Sequence, residues 1–202
     1  MTVLESLERY GLLLFSDPAL PSLVALVAGE PVRGSWMVHP RGHAIYAAMN
    51  ALEDDPAVLT TKLIGGKVTY VHRRLWSAVL AVASSREPWQ MDGLSSGARW
   101  LLSEVDALVE VVTDGLAPPP ATSKRVADLA RELERHLLVH STEIHTPRGS
   151  HAKVLQTWQR WAAGVSLRTA LPPERGRAQL QAAAAQLAAT GGTRARLPWE
   201  SM

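Results

Sequence analysis

The chain has 202 residues, 47% of them hydrophobic and 20% charged, which is enough apolar material for a core and too little charge for disorder. It contains no cysteine, so disulfides, thiolate catalysis and cysteine-ligated zinc are excluded. The formal net charge is +2 and the sequence pI about 9.2, so the case for a polyanionic partner must come from where the bases sit.

Met1-Thr2-Val3-Leu4-Glu5 lacks the basic start and unbroken apolar run of a signal peptide, and no stretch reaches membrane-spanning length. A soluble, cytoplasmic protein is expected. Leu4, Leu7 and Gly11 to Phe15 predict a first helix that Ser16-Asp17-Pro18 ends. A short second helix spans Leu23 to Ala28, with Gly29 placed as a left-handed cap. A third runs from His43 to Leu52 and puts Ile45, Ala48, Met49 and Leu52 on one face. Leu59 to Ile64 and Lys67 to Arg73 then flank Gly65-Gly66, a glycine pair suited to a β-hairpin.

Helix returns from Leu75 to Ser84, and the Glu87-Pro88 to Asp92-Gly93 stretch reads as a break. Ser95 or Ser96 caps a helix running to about Val112, and Gly115 to Pro120 forms a stiff linker. Thr122 or Ser123 caps the next helix, whose Val126, Leu129, Ala130, Leu133 and Leu137 face inward. An extended stretch through Ile144, a turn at Pro147 to Ser150 and the start at His151 suggest a second hairpin or a strand followed by a helix. Glu174 to Ala189 is an alanine-rich helix, and the chain from Gly191-Gly192 onward reads as a frayed tail.

The expected fold is mainly α with small β-hairpins (α+β): two packed winged-helix-like units plus a C-terminal helix. Residues 1-90 form an N-terminal helical unit with a hairpin, 91-165 a winged-helix domain, and 166-202 the C-terminal helix and a flexible tail. A winged helix lays one helix in the major groove and reaches phosphates with its hairpin. The candidate contacts are therefore Lys124, Arg125, Arg131 and Arg135 on the helix, and His145, Arg148, His151 and Lys153 at the hairpin. Arg131 and Arg135 are four apart, a spacing that serves guanidinium contacts to DNA and ordinary salt bridging on a solvated face equally well. Lys62, Lys67, Arg73 and Arg74 surround the first hairpin and are a second basic group, although lysines also guard exposed strand edges.

Leu12, Pro21-Ser22-Leu23, Lys62-Leu63-Ile64-Gly65-Gly66-Lys67, Leu94-Ser95-Ser96-Gly97-Ala98 and Leu137-Leu138-Val139 together make the chain resemble tandem winged-helix DNA-binding proteins related to the AlkZ/YcaQ DNA glycosylases. The resemblance spans about Leu4 to Trp161 and rests on short, hydrophobic motifs. It implies DNA binding, with base excision in some members. There a glutamine two residues from an acidic or amide residue, near the end of an early helix, activates water. The corresponding Gly11 to Asp17 keeps an aspartate and has no glutamine, so a regulatory or repair-related binding protein is expected rather than an enzyme. A Gln90-Met91-Asp92 triplet occurs later and out of place, and is read as coincidence.

His39, His43, His136, His140, His145 and His151 fall in two clusters, but Pro40 and Gly42 break the first and the second straddles a helix end. No metal site, cofactor or catalytic residue is expected. Trp36 and Trp89, read in loops, either stack on an exposed base or lid the core. Two alternatives to duplex DNA binding stay open: a protein-interaction scaffold that uses its winged helices for partner contact, with a homo-oligomer formed through the C-terminal helix, and a glycosylase-like hydrolase. No membrane partner is expected.

Overall fold

The computed structural model describes residues 2–118, 124–145, 151–169 and 171–200. Among them the chain is α+β, with helices α1 (Val3–Tyr10), α2 (Leu23–Ala28), α3 (Gly42–Glu53), α4 (Trp76–Ala83), α5 (Pro88–Met91), α6 (Ser96–Leu108), α7 (Val126–Arg135), α8 (Trp158–Gly164) and α9 (Pro173–Gly191). Strands β1 (Leu12–Leu14), β2 (Val58–Lys62) and β3 (Val68–His72) form one antiparallel sheet in the order β1-β3-β2. Strands β4 (Glu110–Val112), β5 (His140–His145) and β6 (His151–Gln156) form another, in the order β4-β6-β5. Among the described residues no helix is long and apolar enough to cross a membrane.

The chain divides into two compact units, one of residues 1–79 with 174–201 and one of residues 80–173. In the first, Thr2 and Glu5 make a reciprocal capping box at the start of α1, and Gly11 at φ 77° ends that helix. The helix predicted through Phe15 therefore stops at Tyr10. Leu12, Leu13 and Leu14 follow as a fully buried strand paired with Thr69 to Val71. Three consecutive leucines fit a strand covered on both faces as well as they fit a helix, and the left-handed glycine decides between the two.

Ser22 caps α2 through its Oγ, and Gly29 at φ 89° closes it. The β2–β3 hairpin pairs Lys62 with Val68 and turns through Gly65 and Gly66, both at positive φ, with the Lys67 amide donating to the Ile64 carbonyl at 3.0 Å. Leu7, Leu13, Leu23, Val24, Ile45, Leu52 and Tyr70 make the core of this unit. Each leucine so buried contributes about 1.5–3 kcal/mol. The stretch read as a frayed tail is packed instead: Ala195 and Leu197 are buried, and the Gly65 amide donates to the Arg196 carbonyl at 2.8 Å.

In the second unit Ser95 caps α6, and the helix ends at Leu108 rather than near Val112. Val109 adopts φ 65°, and β4 follows directly, paired with β6. A left-handed valine is costly and cannot be foreseen from residue type. Thr122 and Ser123, the expected caps of α7, lie outside the described residues; Arg125 occupies the N-cap position, and α7 buries Val126, Leu129, Ala130 and Leu133. These pack with Leu94, Ala98, Leu101, Val105, Val111 and Leu155. The break expected at Glu87 to Gly93 holds the one-turn helix α5, started by Glu87 with Pro88 at its first position.

Candidate nucleic-acid interface

Three of the four cations assigned to α7 are held by acids. Lys124 Nζ donates to Glu132 Oε2 at 2.8 Å, while Arg125 Nε and Arg131 Nη1 donate to the two oxygens of Asp128 at 3.2 and 2.7 Å. Burial opposes the charge on Glu132. The hydrogen bonds from Lys124 and from the Ser95 amide and hydroxyl nevertheless outweigh it and hold the carboxyl below its usual value. Lys124 thus completes a cap that joins the start of α6 to α7. The Arg125 hydrogen bond, with Arg131 beside it, likewise holds the Asp128 carboxyl low. Arg135 is exposed and enters no ion pair among the described residues.

Lys153 points inward. Its Nζ and the Ser141 hydroxyl both donate to Glu134 Oε1, and the Lys153 and Glu134 side chains are only 17% and 4% exposed. It ties β6 to α7 and is not offered to a ligand. His145 and His151 are exposed and form the last cross-strand pair of the hairpin, with ring centroids 4.3 Å apart. Arg148, with Thr146 and Ser150, lies outside the described residues. Of the eight expected contacts, Arg135, His145 and His151 remain exposed and outside the acid pairs of α7, although His151 Nδ1 lies 3.9 Å from Glu143 Oε2. At the first hairpin, Lys67 is held by Asp17 at 2.6 Å, Arg74 Nη2 donates to the Arg9 carbonyl at 2.9 Å, and Arg73 is exposed.

The first unit carries a different cationic stretch, outside its hairpin. From Pro31 to Leu52 there is no aspartate or glutamate, whereas Arg33, His39, Arg41 and His43 all fall in that stretch. Arg33 and Arg41 are exposed, with no ion pair among the described residues. Outward on α3, at helical spacing, stand His43, Tyr46, Ala47 and the half-buried Asn50. The signal available in the sequence was the gap between Glu30 and Glu53, not the number of bases.

Several other polar side chains serve the fold, although His140 Nδ1 is buried without a hydrogen-bond partner among the described residues. Gln90 is fully buried. Its Nε2 donates to the Ala83 and His136 carbonyls at 3.3 and 3.1 Å, and its Oε1 accepts from Ser85 Oγ and the Glu87 amide, each at 3.0 Å. Both amide protons are used, and the oxygen accepts from the Glu87 amide and shares the single Ser85 hydroxyl proton with the Val82 carbonyl. His136 Nδ1 donates to the Gln90 carbonyl at 3.0 Å. His140 is stacked on Trp161 and edge-on to Trp158, and burial pushes its imidazole down to about 4. Trp36 packs edge-on to Phe15, and Trp89 Nε1 donates to Glu87 at 2.8 Å. Among the described residues no three histidine, aspartate or glutamate side chains gather as metal ligands. A groove in the second unit, lined by Leu80, Ser84, Ala162, Leu167 and Leu171, has Arg168 as its one charged lining residue among those described.

Comparison of the chain with protein-family models, with curated proteins and with solved structures returns no match.

Proposed function

We propose that the protein is a tandem winged-helix module that binds duplex DNA without a cofactor, with its main contact at α3 and the connection before it. The observation that carries this reading is one chain path taken twice. In each unit a helix ends on a left-handed residue, Gly11 or Val109, and passes straight into a three-residue strand. A later helix then leads into a hairpin whose second strand sits in the middle of the sheet, giving the order first-third-second both times. In a winged helix that later helix enters the major groove and the hairpin approaches phosphates.

On this reading His43, Tyr46 and Asn50 face base edges, and Arg33 and Arg41 neutralise phosphates. Arg135, His145 and His151 of the second unit supply weaker contacts. The resemblance of the Lys62 to Lys67 and Leu94 to Ala98 motifs to AlkZ/YcaQ-related proteins supports DNA as the partner. Base excision is left out of the proposal, because the Gly11 to Asp17 stretch has no glutamine and Asp17 is engaged by Lys67 and by the amides of Ala19 and Leu20. The Gln90 amide is fully buried, with its Nε2 donating to the Ala83 and His136 carbonyls. A scaffold that dimerises through α9 is disfavoured, since Leu180, Ala183, Ala184 and Leu187 are already buried.

The test is fluorescence anisotropy of a labelled duplex, and of either strand alone, titrated with the full chain at rising KCl. Tighter binding to duplex that weakens steeply with salt is expected. No binding to duplex at low salt would sink the proposal.

A further inference from the structure

Met37 and Val38 are 70% and 85% exposed, side by side in the turn that leads into α3. They are the least covered of the large apolar residues among those described. Their neighbour Trp36 is turned the other way and packs against the core through Phe15 at 5.7 Å. The turn is fixed at several points. The His39 amide donates to the Trp36 carbonyl at 3.1 Å, the Arg41 amide to His39 Nδ1 at 3.1 Å, and the Gly42 amide to the His39 carbonyl at 2.8 Å. Gly42 lies so close beneath the turn that a Cβ there would meet the Met37 carbonyl at 2.9 Å. Two apolar side chains are therefore held out rigidly from an anchored tip, in a stretch without acids and beside Arg33, His39, Arg41 and His43.

We infer that Met37 and Val38 form a wedge that enters the base stack of the bound duplex and kinks it. The inference rests on the DNA-binding reading and goes beyond it by naming a deformation. Minor-groove binders use apolar side chains on a cationic surface in this way, unstacking a base step and bending the helix by about 20–90°. Two side chains offer far less than the roughly 800 Å² per partner of a stable protein interface, so a protein partner is the poorer fit. A wedge also has to be stiff, because a loose loop would lose in ordering what it gained on insertion, and the hydrogen bonds around His39 and Gly42 provide that stiffness.

The experiment uses the full chain and a duplex with a fluorescence donor and acceptor at its two ends. Saturation with the wild-type chain is expected to raise energy transfer. The variant Met37→Ser with Val38→Ser is expected to keep its fold, because neither side chain packs in the core, and to bind without the rise. A duplex carrying 2-aminopurine should brighten with the wild type and stay dark with the variant. Energy transfer that rises equally for both proteins overturns the wedge, as does wild-type binding with no rise; in both cases DNA binding itself stands. Failure of the wild type to bind duplex at all overturns the wedge and the DNA reading together.

Discussion

Replacing Gln90 by leucine tests whether the buried amide is a structural fastener. The substitution nearly preserves volume, so the cavity contribution is small, and the loss falls on four partners at once. The Ala83 and His136 carbonyls lose their donor, and the Ser85 hydroxyl and Glu87 amide lose their acceptor. The single Ser85 hydroxyl proton is already shared with the Val82 carbonyl at 2.7 Å and can pass wholly to it, and the Glu87 end is partly exposed, so those two losses are modest. With a buried unsatisfied group costing about 1–3 kcal/mol, the two carbonyls and the amide together put Gln90→Leu at roughly 3 kcal/mol. That is a drop of about 6–12 °C in Tm for a chain of this size. Urea unfolding followed by tryptophan fluorescence and a thermal melt by circular dichroism measure it. A loss below about 1 kcal/mol would refute the claim that the amide's four bonds hold α5 to the ends of α4 and α7.

Two further perturbations probe the second unit. Burial depresses the His140 imidazole to about 4 in the folded chain, against about 6.5 unfolded, so the neutral ring is fully stabilising above pH 6.5, and as pH falls from there toward 4 the chain loses about 3 kcal/mol. His140→Phe should remove that slope between pH 6.5 and 5, above the range where Glu132 and Asp17 titrate, and an unchanged urea-midpoint profile would contradict it. Glu134→Ala leaves the Lys153 ammonium buried without its carboxylate and should destabilise by roughly 3–5 kcal/mol, whereas Glu134→Leu with Lys153→Met should recover most of that. A double variant as unstable as Glu134→Ala would show that the packing, not the charge pair, is what matters.

How far the sequence disclosed this molecule depended on which physical signal each segment carried. Ser22 and Gly29 bracket α2, and Gly65-Gly66 marks the first hairpin, because caps and turns are local chemistry that one or two residues determine. β1 and β4 were hidden, since three-residue strands abutting a helix have no period to detect and Val109 takes its left-handed φ against its own preference. The packed C-terminus was missed for a related reason: Ala195, Leu197 and Trp199 alternate with Arg194, Arg196 and Pro198 over too few residues to set a period, and only long-range partners make Leu197 core. On α7 ordinary salt bridging on a solvated face was visible as an alternative, although the Arg131–Asp128 pair that forms is spaced i,i+3. The Lys124–Glu132–Ser95 cap, joining residues distant in sequence, was not. Counting bases pointed to α7, whereas in the structure three of those four cations are held by neighbouring acids.

If phosphates meet the acid-free stretch at α3 and not the paired cations of α7, the slope of log Kd against log salt for a duplex separates the two when measured for the wild type, for Arg33→Ala with Arg41→Ala, and for Arg131→Ala. Each phosphate contact removed lowers the slope by about 0.9, so the double variant should lose about 2 units while Arg131→Ala leaves the slope unchanged. The reverse pattern, a slope lowered by Arg131→Ala and untouched by the double variant, would contradict the account.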